Sequence, residues 1–307
     1  MPADARDAKE TYTISLEDIL PTQLYISETK YQHWSSYLRN NSIEGYPPVP
    51  VKRIGHDLFF TDGHTRAYAL WERGVREITV CNDTDDMDWV MYLVDLKWCR
   101  EAGICSIADL ADRKVNDGEY RKLWLDRCTE SHDRIQENPI RDLKIGFETD
   151  PERKSAIADE VLRSLPKWFG IEAAIVDYVE HVRELDFVAA TMYGKVVGFC
   201  AVKVNFDRNA DLYVLGLFGE FHRLGIGTRM IDFIEDHCRK NGIRFMSVKT
   251  LSSRHPDVSY AKTRSFYEHC GFRAFEELPT LWGDANPCLY MIKDTLAPDR
   301  QRLRSEK

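Results

Sequence analysis

The sequence predicts an α/β (α+β) chain of two domains, residues 1–140 and 141–307. Its 307 residues suit two domains at about 100–200 residues each. In both halves, apolar stretches of strand length alternate with stretches of helical period, the pattern of sheets covered by helices. A polar ENPIRD stretch at 137–142 reads as a linker, and charge differs across it. Residues 1–140 hold 17 Lys/Arg against 25 Asp/Glu, a net of −8, while the remaining 25 of each sign cancel.

In the first half, TYTISLEDILPTQLYIS reads as a short strand or turn and ETKYQHWSSYLRN as a helix. After the proline-stiffened GYPPVPV come a strand LFFT (58–61), a helix TRAYALWERG ended by Gly74, and a return strand REITVC. The acidic stretch 83–88 is a loop, and WVMYLVDLKWCREAG and SIADLADRKVNDGEYRKLWLDRCTESHD read as helical. In the second half, helices at 153–165 and 171–184 flank LPKWFG. Strands FVAATMYG, KVVGFCAVKVN and ADLYVLGLFG follow, then a helix at 225–241 and a strand RFMSVKTL. A helix SYAKTRSFYEHCG and two strands, FRAFEEL and CLYMIKD, close the pattern, and the charged tail from Ala297 is expected to be mobile.

Composition removes several classes. With 43% hydrophobic and 30% charged residues, the chain has the make-up of a globular protein, not a disordered one. No apolar run approaches the roughly 20 residues that span a bilayer, so no membrane association is expected. The charged start MPADARDAKE lacks the apolar core of a secretion signal. Eight scattered cysteines without a CxxC indicate neither a zinc ribbon nor a disulfide framework, so no metal site and a cytoplasmic location are expected. The acidic front half argues against a nucleic-acid partner, which is normally held through a basic stripe. Oligomeric state is not legible.

The strongest motif is ADLYVLGLFGEFHRLGIGTRMIDFIEDHC, a strand, a tight turn with Gly225 and Gly227, and a helix. Glycine removes the Cβ that would hold a ligand off the backbone, and the helix start offers free N–H groups and partial positive charge. That combination suits a pyrophosphate. Residues 145–294 resemble the GNAT acetyltransferase superfamily, whose acetyl-CoA loop reads Q/R-x-x-G-x-G/A and is matched by HRLGIG at 222–227. His222 stands where the family has Gln or Arg, with Arg223 beside it, and FYEHCGF (266–272) matches the family's second signature.

The resemblance implies a central splayed mixed sheet and acetyl-CoA as co-substrate, with Leu217, Phe218, His222, Arg223, Leu224, Gly225, Ile226, Gly227 and Thr228 along it. The thioester carbonyl would meet backbone around Gly216 to Phe218, and an amine acceptor would attack directly. Tyr267 matches the family tyrosine that protonates the departing thiolate. Asp211, 14 residues before Gly225, matches the general base of some members. Glu220 is a rival for that role, and a water chain serves in other relatives. The family's CoA-contacting Asn falls near Tyr260, where this sequence departs.

The second constellation is FFTDGHTRAYALWERGVREITV. Gly63 permits a turn, Thr65 offers a cap and a hydroxyl, Arg66 forks onto phosphate oxygens, and His64 can donate a further hydrogen bond. Asp62 suits Mg²⁺ or the orientation of Arg66. Residues 12–130 resemble ParB/sulfiredoxin-like nucleotide-binding domains, with TQLYISETK, TDGHTRAYAL, WCREAGI and LWLDRC most like the free serine kinases. That resemblance implies ATP or ADP with Mg²⁺, L-serine as a small hydroxyl acceptor, and Glu28 as catalytic base. Gly63 occupies the position of the sulfiredoxin cysteine, so sulfinic acid reduction is not expected. A nucleotide sensor that regulates the acetyltransferase, or a DNA- or CTP-binding module, are the alternatives.

Overall fold

The computed structural model describes residues 11–41, 45–85 and 88–296. The expectation for the tail from Ala297, and part of that for the loop 83–88, lie outside the described residues. The chain divides into two units, Met1–Arg141 and Asp142–Lys307.

The first unit holds a four-stranded sheet. Its strands are β1 (Thr11–Ser15), β3 (Val49–Ile54), β4 (Asp57–Phe60) and β5 (Glu77–Asn82), in the order β1-β5-β3-β4. β3 runs parallel to β5, and the other neighbours are antiparallel. α1 (Glu28–Asn40) and α2 (His64–Glu72) bury Leu38, Ala67 and Leu70 in one apolar core with Leu16, Ile19 and Phe60. α3 (Trp89–Glu101) follows. The proline-rich stretch contributes β3, because Val49 and Val51 reach the core from alternate positions.

Residues 106–133 are not one helix. A short turn at Ile107–Leu110 leads to β6 (Lys114–Val115), which pairs in parallel with β2 (Ile26–Ser27). α4 (Asp117–Tyr120), a wide turn at Arg121–Leu125 and α5 (Asp126–Glu137) come after. Asn116 restarts the helix by accepting from the Glu119 N–H at 3.0 Å, the work of a residue that breaks one helix and caps the next.

The second unit is a seven-stranded sheet in the order β12-β13-β11-β10-β9-β8-β7. The strands are β7 (Lys144–Phe147), β8 (Asp186–Met192), β9 (Lys195–Asn205), β10 (Asn209–Leu217), β11 (Phe245–Leu251), β12 (Arg273–Leu278) and β13 (Cys288–Asp294). Only β10 and β11 are parallel. Between strands lie α6 (Pro151–Arg163), α7 (Glu172–His181), α8 (Ile226–Lys240) and α9 (Val258–His269). Asp150 and Asp257 cap α6 and α9 by accepting backbone N–H groups at 2.7–3.0 Å. Glu235, 7% exposed, takes Arg239 at 2.6 Å and Lys293 at 2.7 Å, which ties α8 to β13.

Candidate active site

β10 and β11 pair from Asn209–Phe245 to Leu212–Val248 and then part, although β10 continues to Leu217 and β11 to Leu251. The divergence begins at a bulge, where the β9–β10 register shifts between Leu212 and Val214 and leaves Tyr213 extra. A cavity of about 1070 Å³ opens there. It is lined by Val214–Leu217 on one strand, Val248–Thr250 on the other, the start of α8, and Tyr267 of α9.

The loop after β10 makes one tight turn, Gly219–Phe221, before α8. Gly225 caps α8 at φ +80°, a left-handed conformation that glycine adopts without strain. No side chain caps that helix, so its first amides stay available. Gly227 has a different role from the one its motif suggests: a Cβ there would lie 3.1 Å from the Phe266 ring, so the residue admits α9. Leu224 is half-buried, and Ile226 is buried beneath the turn. Thr228 hydrogen-bonds with the Cys270 thiol. Arg223 is exposed at φ +68° and borders the cavity. His222 donates from Nε2 to the Leu217 carbonyl at 2.8 Å and meets the Trp168 ring edge-on at 5.7 Å.

The expected backbone contact at Phe218 needs correction. Its N–H donates to Val197 across the β9 side at 3.0 Å. Because amides alternate sides along an antiparallel ladder, Leu217 presents its N–H toward the open gap instead.

Tyr267 is 6% exposed, between Phe266 and Phe272 at ring separations of 5.1 and 5.7 Å. Its hydroxyl makes no hydrogen bond among the described residues, although the side chain lines the cavity. Burial, with Cys200 nearby, pushes its pKa well above the ordinary tyrosine range, so it carries its proton at neutral pH. Asp211 also lines the cavity, but it does not stand free. Ser247 Oγ donates to Oδ1 at 3.0 Å and Lys249 Nζ to Oδ2 at 2.6 Å. Glu220 is exposed in the turn before the loop and does not line the cavity.

The position of the expected Asn holds Tyr260, whose hydroxyl donates to the Trp168 carbonyl at 2.9 Å. Trp168 Nε1 donates in turn to Thr263 at 3.1 Å, so the LPKWFG stretch is fastened to α9. Burial pushes the Tyr260 hydroxyl up to about 12. Phe169, Tyr178 and Tyr213 form an edge-to-face row on the cavity wall. No motif marks Tyr178, Tyr213 or Lys203 as site residues, because a bulge and strand register bring them together.

In the first unit, Gly63 ends the turn after β4 at φ +80°, and α2 begins at His64. A Cβ at Gly63 would lie 2.9 Å from Arg66 Nη2, so glycine lets that guanidinium fold back over the turn. Arg66 is 8% exposed, its guanidinium lies 5.1 Å from the Trp34 ring centre, and its Nε is buried without a partner. Burial lowers its pKa, with the exposed Asp62 opposing.

Two expectations there change. Thr65 lies inside α2 and caps nothing. His64 faces inward, with Nε2 accepting the Thr22 N–H at 2.9 Å, and burial drives its pKa down to about 4, so the ring is neutral and structural. Glu28 opens α1 behind its cap Ser27 and accepts from Gln32 at 3.1 Å. No hydrogen bond or ion pair among the described residues joins it to residues 62–66.

The parting of parallel strands, the glycine-capped start of α8 and the buried Tyr267 meet in one cleft. Residues 155–272, within the second unit, match the acetyltransferase (GNAT) family. An uncharacterized N-acetyltransferase of Chlorobaculum tepidum is 26% identical over 121 residues, 38% of this chain and 70% of that protein. Among solved structures, the aminoglycoside 6'-N-acetyltransferase from Enterococcus faecium is similar at 23% identity, TM-score 0.40, over 51% of this chain and 99% of that one. The ribosomal-protein-S18-alanine N-acetyltransferase from Escherichia coli is similar at 16% identity, TM-score 0.40, over 52% and 97%. Among the described residues, no helix is long and apolar enough to cross a membrane. No group of three or more His, Cys, Asp or Glu among them is placed to hold a metal ion.

Proposed function

We propose that the second unit transfers the acetyl group of acetyl-CoA to an amine by direct attack on the thioester. The observation that carries this reading is the cleft, which unites the uncapped start of α8, the freed edge of β10 and the unbonded Tyr267 hydroxyl. The amides at Gly225–Thr228, with Arg223 beside them, suit the pyrophosphate. The Leu217 N–H suits the thioester carbonyl and any negative charge that develops on it. The amine nitrogen bonds to the acetyl carbon, the carbon–sulfur bond breaks, and Tyr267 gives its proton to sulfur. Asp211, oriented by Ser247 and Lys249, takes the proton from nitrogen. Acetyl-CoA-dependent thiol release by the full chain with a panel of amines tests this. No release with any amine, together with no acetyl-CoA binding, would refute it.

For the first unit, the ParB/sulfiredoxin-like resemblance and Arg66 together support a phosphate-bearing ligand at residues 61–66. The buried guanidinium has an unsatisfied Nε, and the Thr61 hydroxyl is also buried without a partner. A nucleotide such as ATP or ADP with Mg²⁺ fits that chemistry, and serine phosphorylation with Glu28 as base is the further step. The sensor reading needs the cradle without Glu28. Phosphoserine formation in wild type and Glu28→Gln separates the two, since a kinase loses product in the variant while a sensor makes none in either.

A further inference from the structure

We propose that the acetyl acceptor is an amine that also carries a carboxylate and an aromatic or bulky apolar body, as an aromatic amino acid does. This rests on the acetyltransferase reading of the cleft. Asp211 on β10 pairs with Lys203 on β9 and with Ser247 on β11. Partners in register share a face of the sheet, and Lys249, two residues beyond Ser247, shares it too. Asp211 therefore lies between two lysines on one face of the sheet, and all three residues line the cavity. Lys249 is bound to Asp211 at 2.6 Å, with its ammonium 5.3 Å from the Tyr290 ring centre. Lys203 has no partner among the described residues and is exposed on the cavity wall. The row carries one uncompensated positive charge, which a carboxylate on the acceptor completes and a polycationic acceptor worsens.

The other lining carboxylate, Asp177, lies at the exposed surface within 3.3 Å of His181 Nδ1. Beside it runs a row of aromatic residues, while Lys262 adds a further exposed positive charge to the lining. Phe169 meets Tyr178 edge-on at 6.0 Å, and Tyr178 meets Tyr213 at 5.5 Å. Leu281 and Trp282 line the same cavity while 50% and 40% exposed, apolar surface that an acceptor ring would cover.

The test uses the full chain with acetyl-CoA and three acceptors, L-phenylalanine, phenethylamine and spermidine, read as kcat/KM from thiol release. Phenylalanine should exceed phenethylamine by about tenfold or more, the worth of a hydrogen bond to a charged group, and spermidine should trail both. Lys203→Met should shrink the phenylalanine-to-phenethylamine ratio toward one through KM, with acetyl-CoA affinity by calorimetry as the check on folding. Phenethylamine or spermidine used as well as phenylalanine, no acetylation of phenylalanine, or a ratio unmoved by Lys203→Met would overturn the acceptor assignment. Failure of wild type to bind acetyl-CoA would instead overturn the acetyltransferase reading beneath it.

Discussion

Replacing Tyr267 with Phe removes one oxygen that no described residue holds by a hydrogen bond. The ring contacts to Phe266 and Phe272 need only the aromatic carbons, so the packing survives. Deleting a buried hydroxyl that has no partner costs folding little and can stabilise. Melting temperature should therefore stay level or rise. A proton donor acts in the transition state and contributes roughly 10²–10⁴-fold, or about 2.7–5.5 kcal/mol. Turnover should fall by that factor while acetyl-CoA affinity changes little. Because burial holds the Tyr267 proton well above the ordinary range, its ionisation should leave no alkaline limb in the wild-type profile near neutrality. Steady-state kinetics with saturating amine, beside a thermal melt, decides it. Wild-type turnover in a folded Tyr267→Phe protein would refute the donor role.

Asp211→Asn should lower turnover by about 10²-fold or more if the carboxylate receives the amine proton. Arg66→Ala should abolish nucleotide binding to the first unit by calorimetry, while acetyl-CoA affinity stays unchanged. His64 gives a stability signature: its folded pKa of about 4 lies below the ordinary 6.5, so the unfolded chain binds more protons between them. The first unit should therefore lose up to about 3 kcal/mol as pH falls through that window, and His64→Gln should remove the dependence in denaturant melts.

The elements with strong local signals were legible in the sequence. α1 begins at Glu28 because Ser27 supplies a cap, and α8 follows Gly225 because the motif demands a left-handed residue there. The 106–133 stretch misled because its helical period continues across Asn116, and only the pairing of β2 with β6 reveals the interruption. β3 hid behind its prolines, which are tolerated where the strand is bounded by Pro47 and Pro48 and only Pro50 lies inside it. β7 is only four residues long, interrupted by Gly146 and mostly exposed, so it has no clear signal, and the edge of a sheet is where such a strand survives.

In the cleft, Tyr267 and the loop glycines carry motif signals, whereas the part Gly227 plays in admitting α9 depends on where Phe266 packs. His64 shows the same limit. A histidine beside an Asp-Gly turn looks like a ligand-facing donor until the fold supplies Thr22 as its partner from 42 residues away.

The most direct test is calorimetric titration of acetyl-CoA into the full chain and into Gly225→Val. At φ +80° a β-branched side chain is strained whatever the space around it, so the loop must move and carry its amides away from the pyrophosphate. Wild type should bind one acetyl-CoA, and the variant, folded by its melting curve, should bind about tenfold more weakly or worse. No binding by wild type, or equal affinity in a folded Gly225→Val protein, would contradict the placement of acetyl-CoA in this cleft.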